Sequence, residues 1–209
     1  MSGRISVVTG GAGFIGSHLV RALLARGDEV RVLDDLSTGH ETNLSDVLGD
    51  IHFSRGSVLN QDLVEASMAG AEQVFHLGAQ ISVPLSMEDP ASNHEINVTG
   101  TLRILEAARA AGARRVVFSS SCALYGDDPR LPKVENHEPA PQSPYATSKL
   151  MGEQYGDLYT RTMGLEVVSL RYFNVFGPRQ DPNSAYAAAI PAFITRMLDR
   201  RPITIHGDG

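Results

Sequence analysis

The segment SPYATSK, residues 143–149, places a tyrosine four residues before a lysine. In a helix, Tyr145 and Lys149 would lie on the same face. A lysine at this position is notable because the chain contains two lysines and sixteen arginines. A lysine ammonium can titrate and can change the pKa of a neighbouring phenol, whereas an arginine stays charged. The pair therefore predicts a tyrosine that acts as a base beside a lysine that lowers its pKa.

A glycine-rich turn near the N-terminus predicts dinucleotide binding. The strand-like segment RISVVTG leads into TGGAGFIG, which has glycines at positions 10, 11, 13 and 16 and precedes a helical pattern. Between a strand and a helix, glycines allow the backbone to approach a diphosphate, and the helix N-terminus supplies amide groups. The alternative interpretation is an ordinary tight turn.

Asp34 ends the second strand-like segment about 20 residues further on, where a carboxylate can accept the ribose hydroxyls of an adenosine. Asp34 and Asp35 have no adjacent arginine and would repel a 2′-phosphate, so the sequence favours NAD over NADP. The alternative for Asp34 is a solvated acid at a strand end.

A tyrosine can act as a base near neutral pH only if its pKa is lowered. A free tyrosine has a pKa near 10, so function near neutrality requires a decrease of about 3 pKa units, or about 4 kcal/mol. Lys149 and the positive nicotinamide ring of an oxidised cofactor would together supply it. Ser121, the last residue of the run SSS, is expected to hydrogen-bond the same substrate hydroxyl. The alternative is a buried tyrosine packed near a lysine stem.

The elements that would position these residues alternate along the chain. Strands are predicted for RISVVTG, EVRVLDD, DIHFSRG, AEQVFHLGA, RRVVFSSS and LEVVSLRYF. Helices are predicted for FIGSHLVRALLARG, DLVEASMAG and residues 97–112, 145–163 and 191–200. This alternation predicts an α/β fold with a doubly wound parallel sheet of the Rossmann type. Ligands of such sheets bind at the carboxyl ends of the strands.

The predicted domain organisation is an NAD-binding Rossmann domain over residues 1–176, followed by the start of a small C-terminal substrate-binding lobe over residues 177–209. Residues 127–144 are rich in proline and charge and predict a surface flap before the tyrosine helix. The final segment, ITIHGDG, does not resemble the end of a domain, so we expect the sequence to be truncated.

Composition narrows the function further. The net charge of -6 disfavours nucleic acid or an anionic membrane as a partner. No apolar run approaches the roughly 20 residues of a membrane span, and no signal peptide is expected. A single cysteine, Cys122, excludes an intrachain disulfide and suits the cytoplasm. The seven histidines show no metal-binding spacing, so no metal site is expected.

Together, TGGAGFIG, Asp34, HLGAQ, the Asn97-x-x-Gly-Thr run, SSS and YATSK resemble the extended short-chain dehydrogenase/reductase superfamily over the whole chain. Within it, SVPLSMEDP, NVTGT, YGDDPRLPKVE and RYFNVFGPRQDPNSAYAAAIPAF are most similar to UDP-sugar 4-epimerases, particularly bacterial enzymes that act on N-acetylated hexosamines. The resemblance implies NAD-dependent inversion of C4 of a UDP-hexose through a transient 4-keto intermediate. It also implies a homodimer, paired through helices around residues 97–111 and 145–163.

The resemblance also implies roles for particular residues. The implied catalytic residues are Ser121, Tyr145 and Lys149. The implied cofactor contacts are Gly10, Gly13, Phe14, Ile15, Asp34, Ser57, Val58, Leu77, Ala79, Tyr145, Lys149 and Tyr172. The implied substrate contacts are Ser121, Tyr145, Asn174, Ala188 and Ala189.

The chain departs from the family pattern in three places. Ser57 stands where the family usually has an aspartate that contacts the adenine, so this contact is expected to be weaker. Gly78 replaces the usual alanine of the HLAA motif. The family's chains are considerably longer, and their remaining part carries much of the contact with the uridine diphosphate.

Other activities remain open. Related nucleotide-sugar 4,6-dehydratases carry an Asp–Glu pair just after the catalytic hydroxyl, and the UDP-glucuronate decarboxylases place a glutamate there. Cys122 and Ala123 occupy these positions and cannot protonate a leaving hydroxyl, which disfavours dehydration. A reductase of the same superfamily and a noncatalytic NAD-binding scaffold are further alternatives, although Ser121, Tyr145 and Lys149 argue against a scaffold. We interpret Cys122 as a packing residue rather than a nucleophile, and His76 as structural.

Overall fold

The computed structural model describes residues 3–181, 189–203 and 205. Its strands are β1 (Ile5–Thr9), β2 (Glu29–Asp34), β3 (Ile51–Arg55), β4 (Gln73–His76), β5 (Arg115–Ser121) and β6 (Glu166–Tyr172). They form one six-stranded sheet in the order β3-β2-β1-β4-β5-β6, and every neighbouring pair is parallel. The order reverses between β1 and β4, which confirms the predicted doubly wound sheet.

The helices are α1 (Phe14–Ala25), α2 (Gln61–Met68), α3 (Val83–Glu88), α4 (Pro90–His94), α5 (Gly100–Ala110), α6 (Pro144–Thr162) and α7 (Ala189–Leu198). A π-helical turn, Glu95–Thr99, joins α4 to α5. The helical segment predicted to begin at residue 97 therefore begins earlier, at Pro90. Helix α3 was not predicted. Short 3-10 helices span Glu41–Leu44, Leu48–Asp50 and Cys122–Tyr125.

Polar caps set the starts of several helices. The Ser143 hydroxyl accepts a hydrogen bond from the N–H of Ala146, and Pro144 occupies the first turn of α6. Ser82 and Asp89 cap α3 and α4 in the same way. Each such cap stabilises a helix by about 1 kcal/mol. The cap at Ser143 fixes the start of α6 next to Tyr145.

Two hydrophobic clusters cover the two faces of the sheet. Val7 of β1 belongs to one cluster, with Ile104 and Leu105 of α5. The next residue, Val8, belongs to the other cluster, with Val20 of α1. Neighbouring strand residues point to opposite faces, so a continuous apolar run serves both clusters. Full burial of each such side chain contributes about 1.5–3 kcal/mol.

Close packing brings α6 against the sheet. A Cβ atom added at Gly152 would lie 2.4 Å from Cζ of Phe118 in β5. A Cβ atom at Gly156 would lie 2.8 Å from Cγ1 of Val167 in β6. The two glycines therefore allow α6 to approach closely, which places the start of the helix beside the carboxyl end of β5.

The chain divides into two compact units, Met1–Tyr172 and Phe173–Gly209. The first unit contains the whole sheet, and the described part of the second contains α7. The sequence placed the boundary nearby, after residue 176, and its assignment of an NAD-binding domain and a substrate lobe remains a prediction. Within the described residues, no helix is long and apolar enough to cross a bilayer.

Candidate active site

In the turn between β1 and α1, backbone atoms of different residues approach one another closely. Gly10 has a φ of +69°, and a Cβ atom there would lie 2.7 Å from the Gly78 nitrogen. A Cβ atom at Gly16 would lie 2.1 Å from the Gly10 carbonyl oxygen. The Gly13 N–H donates to the same carbonyl at 3.2 Å. Only glycine fits at positions 10 and 16, because any side chain would collide with the backbone.

The N-terminus of α1 fits a diphosphate. Among the described residues, no side chain caps this helix end, and its first turn contains no acidic residue. The first amide groups of a helix have no intrahelical acceptor and carry partial positive charge. Phe14 and Ile15 supply these amides beside the glycine turn. The residues present are therefore suited to the diphosphate of a dinucleotide.

Asp34 has a structural role that the sequence analysis missed. Its Oδ2 accepts a hydrogen bond from the Ala12 N–H at 2.8 Å, and its Oδ1 accepts one from the Leu36 N–H at 2.9 Å. Burial raises the pKa of Asp34, and these backbone hydrogen bonds oppose the rise. An ionised carboxylate has about four acceptor positions, so positions remain for ribose hydroxyls. Asp34 thus ties the end of β2 to the glycine turn.

Ser121, Tyr145 and Lys149 lie together at the carboxyl end of β5. The Ser121 side chain lies close enough to the Tyr145 hydroxyl to lower the pKa of the phenol, and Ser121 Oγ accepts a hydrogen bond from the Ala123 N–H at 3.1 Å. The Lys149 Nζ lies 5.9 Å from the centroid of the Tyr145 ring and 5.1 Å from that of Phe118. The structure therefore brings together the three residues predicted to be catalytic, although their roles remain proposals.

The pKa of Tyr145 is raised in the protein without its cofactor. Burial raises the pKa of Tyr145, the hydrogen bond with Ser121 lowers it, and Cys122 adds to the rise. The sequence analysis expected Lys149 and an oxidised nicotinamide together to lower this pKa. In the protein without its cofactor, desolvation of the phenol is the larger effect, and the joint effect of Lys149 and an oxidised nicotinamide stays a prediction. Burial also lowers the pKa of Lys149, to about 8.

The remaining predicted cofactor contacts follow the carboxyl ends of strands. Leu77 and Ala79 follow β4, and Tyr172 ends β6, where it pairs in register with Ser121. Ser57 follows β3, and its Oγ accepts the Leu59 N–H at 3.2 Å. The neighbouring Val58 is 7% exposed and packs in the core, so a cofactor contact from Val58 would come from its backbone.

Three predicted substrate residues cannot be placed beside this site. Asn174 is exposed and belongs to the second compact unit. Ala188 lies outside the described residues. Ala189 is described only as the first backbone position of α7. Their roles remain predictions.

Asn97 is a site-supporting residue to which the sequence analysis gave no role. Its Nδ2 donates to the Gln80 carbonyl at 2.9 Å and to Ser148 Oγ at 3.0 Å, while its Oδ1 accepts the Gln80 N–H at 2.8 Å. Ser148 Oγ in turn donates to the Tyr145 carbonyl at 2.8 Å. Asn97 therefore joins the loop after β4 to the helix that carries Tyr145. The NVTGT motif was the available sequence signal.

His76 has a structural environment. Its Nδ1 lies 2.7 Å from Thr9 Oγ1, and its Nε2 lies 2.9 Å from Thr101 Oγ1. Burial, with a smaller contribution from the charge of Lys149, lowers the pKa of His76 to about 3. The imidazole is neutral at physiological pH and joins β1, β4 and α5. Across the part of the chain that the structure describes, no three His, Cys, Asp or Glu side chains cluster as a metal site would require.

A doubly wound parallel sheet with a glycine turn after β1, an acid at the end of β2 and a Ser–Tyr–Lys cluster after β5 defines a dinucleotide-binding Rossmann protein. Residues 6–209 match the profile of the NAD dependent epimerase/dehydratase family, and the chain belongs to this family. Family membership confirms the predicted superfamily and its NAD cofactor.

Known proteins agree with this assignment. The chain is 42% identical over 211 residues to a UDP-glucose 4-epimerase of Mycolicibacterium smegmatis, covering 98% of this chain but 66% of that protein. It matches a UDP-N-acetylglucosamine 4-epimerase of Methanobrevibacter ruminantium, solved in complex with UDP-N-acetylmuramic acid, with TM-score 0.94 and 40% identity over 100% of this chain and 67% of that one. A Thermus thermophilus UDP-glucose 4-epimerase in complex with NAD matches with TM-score 0.87 and 43% identity over 96% of this chain and 65% of that one.

Proposed function

We propose that the protein inverts the configuration at C4 of a UDP-hexose, as an NAD-dependent UDP-sugar 4-epimerase. The observation that carries the proposal is the cluster of Ser121, Tyr145 and Lys149 at the same carboxyl edge of the sheet as the glycine turn. Family membership and the similarity to epimerases support it. The chain spans between 46% and 66% of the length of the curated relatives it matches, so the proposal concerns the activity of the whole protein.

The proposed chemistry needs one base, one aligning hydroxyl and one cation. NAD, when bound, would supply a hydride acceptor for C4 of the sugar and, once reduced, a hydride donor. Tyr145 takes the proton of the C4 hydroxyl and later gives it back to the oxygen of the 4-keto sugar. Ser121 hydrogen-bonds the same oxygen and aligns it with the phenol. Lys149 supplies a buried positive charge that stabilises the phenolate.

We infer that NAD is held by groups from several strand ends. The amides of Phe14 and Ile15 would bind the diphosphate, and Asp34 would accept the adenosine ribose hydroxyls. Lys149 would contact the nicotinamide ribose. The positive charge that accompanies an oxidised nicotinamide is the further factor needed to offset the burial that raises the pKa of Tyr145.

Two residues favour epimerisation over dehydration or decarboxylation in a family that contains both epimerases and dehydratases. Dehydration requires an acid that protonates the leaving hydroxyl. Cys122 and Ala123 follow Ser121 in the 3-10 helix, and neither is a carboxylic acid. Burial raises the pKa of Cys122, so its thiol is a weak acid. An epimerase needs no group beyond Ser121, Tyr145 and Lys149.

The sugar is proposed at the level of its class: UDP-glucose/galactose or the N-acetylated pair. The names of the similar proteins include both kinds of epimerase. A homodimer paired through α5 and α6, and a cytoplasmic location, stay predictions.

Product analysis tests the proposal. The protein is incubated with NAD and, separately, with UDP-glucose, UDP-N-acetylglucosamine and UDP-glucuronate, and the products are identified by NMR. We expect the C4 epimer of at least one substrate, without loss of the C6 hydroxyl and without release of carbon dioxide. A 4-keto-6-deoxy product would indicate a dehydratase, and a pentose product would indicate a decarboxylase. NAD binding without turnover of any sugar would indicate a scaffold.

A further inference from the structure

We propose that Glu153 and Arg171 are positioning residues that hold Ser121 beside Tyr145. This inference rests on the proposed function, because it assigns the pair a part in the same site. Neither residue is required to touch the substrate or the cofactor.

The carboxylate of Glu153 joins three elements. Arg171 donates to it twice, from Nε to Oε1 at 2.9 Å and from Nη2 to Oε2 at 2.8 Å. The Ser120 hydroxyl donates to the same Oε1 at 2.6 Å. Glu153 lies in α6, Arg171 in β6 and Ser120 in β5. Charge-assisted, two-point contacts of this kind fix orientation as well as distance.

Each of these residues lies next to a candidate site residue in the sequence or on the same helix face as one. Ser120 immediately precedes Ser121, and Arg171 immediately precedes Tyr172. Ser120 and Arg171 are also direct partners in the register of β5 and β6. Glu153 lies four residues after Lys149, on the same face of α6. The carboxylate therefore fixes the end of the serine strand relative to the helix that carries Tyr145.

The same guanidinium holds the flap, residues 127–144. Arg171 Nη1 donates to the Glu135 carbonyl at 3.3 Å. Its Cζ lies 5.0 Å from the centroid of the Tyr125 ring, which is a cation–π contact. Tyr125 ends the 3-10 helix that begins directly after Ser121, and Ser120, which precedes Ser121, pairs in register with Arg171. Arg171 therefore contacts the chain on both sides of the serine.

The side chains of this pair are less exposed than those of the surface ion pairs. The side chains of Arg171 and Glu153 are 17% and 15% exposed. Most of the attraction in a buried pair offsets the cost of removing both charges from water, so such a pair adds little net stability over an apolar one. Its geometric specificity is the property that an apolar pair would lack, and that property is what the site requires.

The main test compares Glu153→Gln with Asp157→Asn. Asp157 lies on the same helix and pairs with Arg161, but these side chains are 60% and 65% exposed. We expect Glu153→Gln to lower kcat by about 10–100-fold, the range for a small displacement of catalytic groups. KM and the Kd for NAD should stay within about threefold, since the change removes alignment and not binding. Asp157→Asn should leave kcat unchanged. Unchanged kcat in Glu153→Gln would overturn the inference.

A double-mutant cycle with Ser121→Ala separates positioning from a general loss of structure. Since Glu153 is proposed to act through Ser121, Glu153→Gln should lower kcat much less in a protein that already carries Ser121→Ala. If the reduction in kcat of the double variant equals the product of the reductions in the two single variants, Glu153 acts independently of Ser121. Should Glu153→Gln fail to fold, Arg171→Lys replaces it, because a lysine keeps the charge but loses the two-point contact.

A readout without turnover distinguishes failure of this inference from failure of the proposed function. Tyrosine labelled with a heavy carbon isotope at Cζ reports the environment of the Tyr145 hydroxyl, including its interaction with Ser121, by NMR. In Glu153→Gln, the Tyr145 signal should move towards its position in Ser121→Ala, and in Asp157→Asn it should not move. This result would stand even in a protein that epimerises no sugar. An unmoved Tyr145 signal in Glu153→Gln would refute the positioning role.

Discussion

Lys149→Met should stabilise the ligand-free protein while it weakens NAD binding and turnover. Burial lowers the pKa of Lys149 from 10.5 to about 8. At 1.36 kcal/mol per pKa unit, the buried ammonium costs the folded state about 3 kcal/mol at neutral pH. Cation–π contacts with Phe118 and Tyr145 return about 0.5–1 kcal/mol each. The variant should therefore be more stable by about 1–2 kcal/mol at neutral pH.

The sign of the pH dependence follows from the same pKa. Because the folded pKa of Lys149 is below its unfolded value, the unfolded chain binds more protons between about pH 8 and 10.5. The penalty is complete below about pH 8 and decreases as the pH rises through this window. The stability difference between Lys149→Met and the unsubstituted protein should therefore shrink with increasing pH.

Urea unfolding at neutral pH and at about pH 9.5 measures this difference. Lys133→Met, which removes the other lysine, is the control for the loss of a lysine. Lower stability of Lys149→Met at neutral pH would refute the reasoning, as would a difference that does not change with pH. Calorimetry with NAD completes the test by measuring the affinity of Lys149→Met for the cofactor. A substitution that raises the stability of the protein and weakens ligand binding is typical of a functional residue.

Three further substitutions test separate parts of the site. Tyr145→Phe should abolish turnover but change the Kd for NAD, measured by calorimetry, by less than about tenfold, or about 1.4 kcal/mol; wild-type turnover would remove the tyrosine from the chemistry. Asp34→Ala should reduce the preference for NAD over NADP and cost about 2–4 kcal/mol in urea unfolding, because two backbone N–H groups lose a charged acceptor; equal NAD and NADP affinity in the unsubstituted protein would contradict this role. Gly152→Ala should cost about 1–3 kcal/mol, because its Cβ would lie 2.4 Å from the Phe118 ring, whereas Gly49→Ala, with nothing within 4 Å, should be nearly neutral in thermal unfolding.

The sheet could be predicted because each strand is marked by a pattern of residue types within a short segment of the sequence. The alternation of β-branched runs with helical periods gave all six strands, and glycine spacing gave the turn after β1. Helices α3 and α4 were missed because they are short and contain Pro84 and Pro90. Their caps, Ser82 and Asp89, are single residues that are also common in loops.

Contacts between residues that are far apart in the sequence could not be predicted from local sequence patterns. The motif YATSK indicated that Tyr145 and Lys149 share a face, but the pKa of the tyrosine depends on how much water the whole fold excludes. Asn97 and Ser148 are 51 residues apart, and Ser120 and Glu153 are 33 residues apart. Such partners become visible only when helices and strands are packed.

The central claim is that C4 of the sugar is oxidised and then reduced at one site. The most direct measurement follows deuterium at C4 of UDP-glucose and UDP-N-acetylglucosamine during reaction with the protein and NAD in ordinary water. We predict a C4 epimer that retains its deuterium at C4, formed by the unsubstituted protein and not by Tyr145→Phe. An epimer that carries solvent hydrogen at C4, or no epimer from any UDP-hexose, would contradict the account.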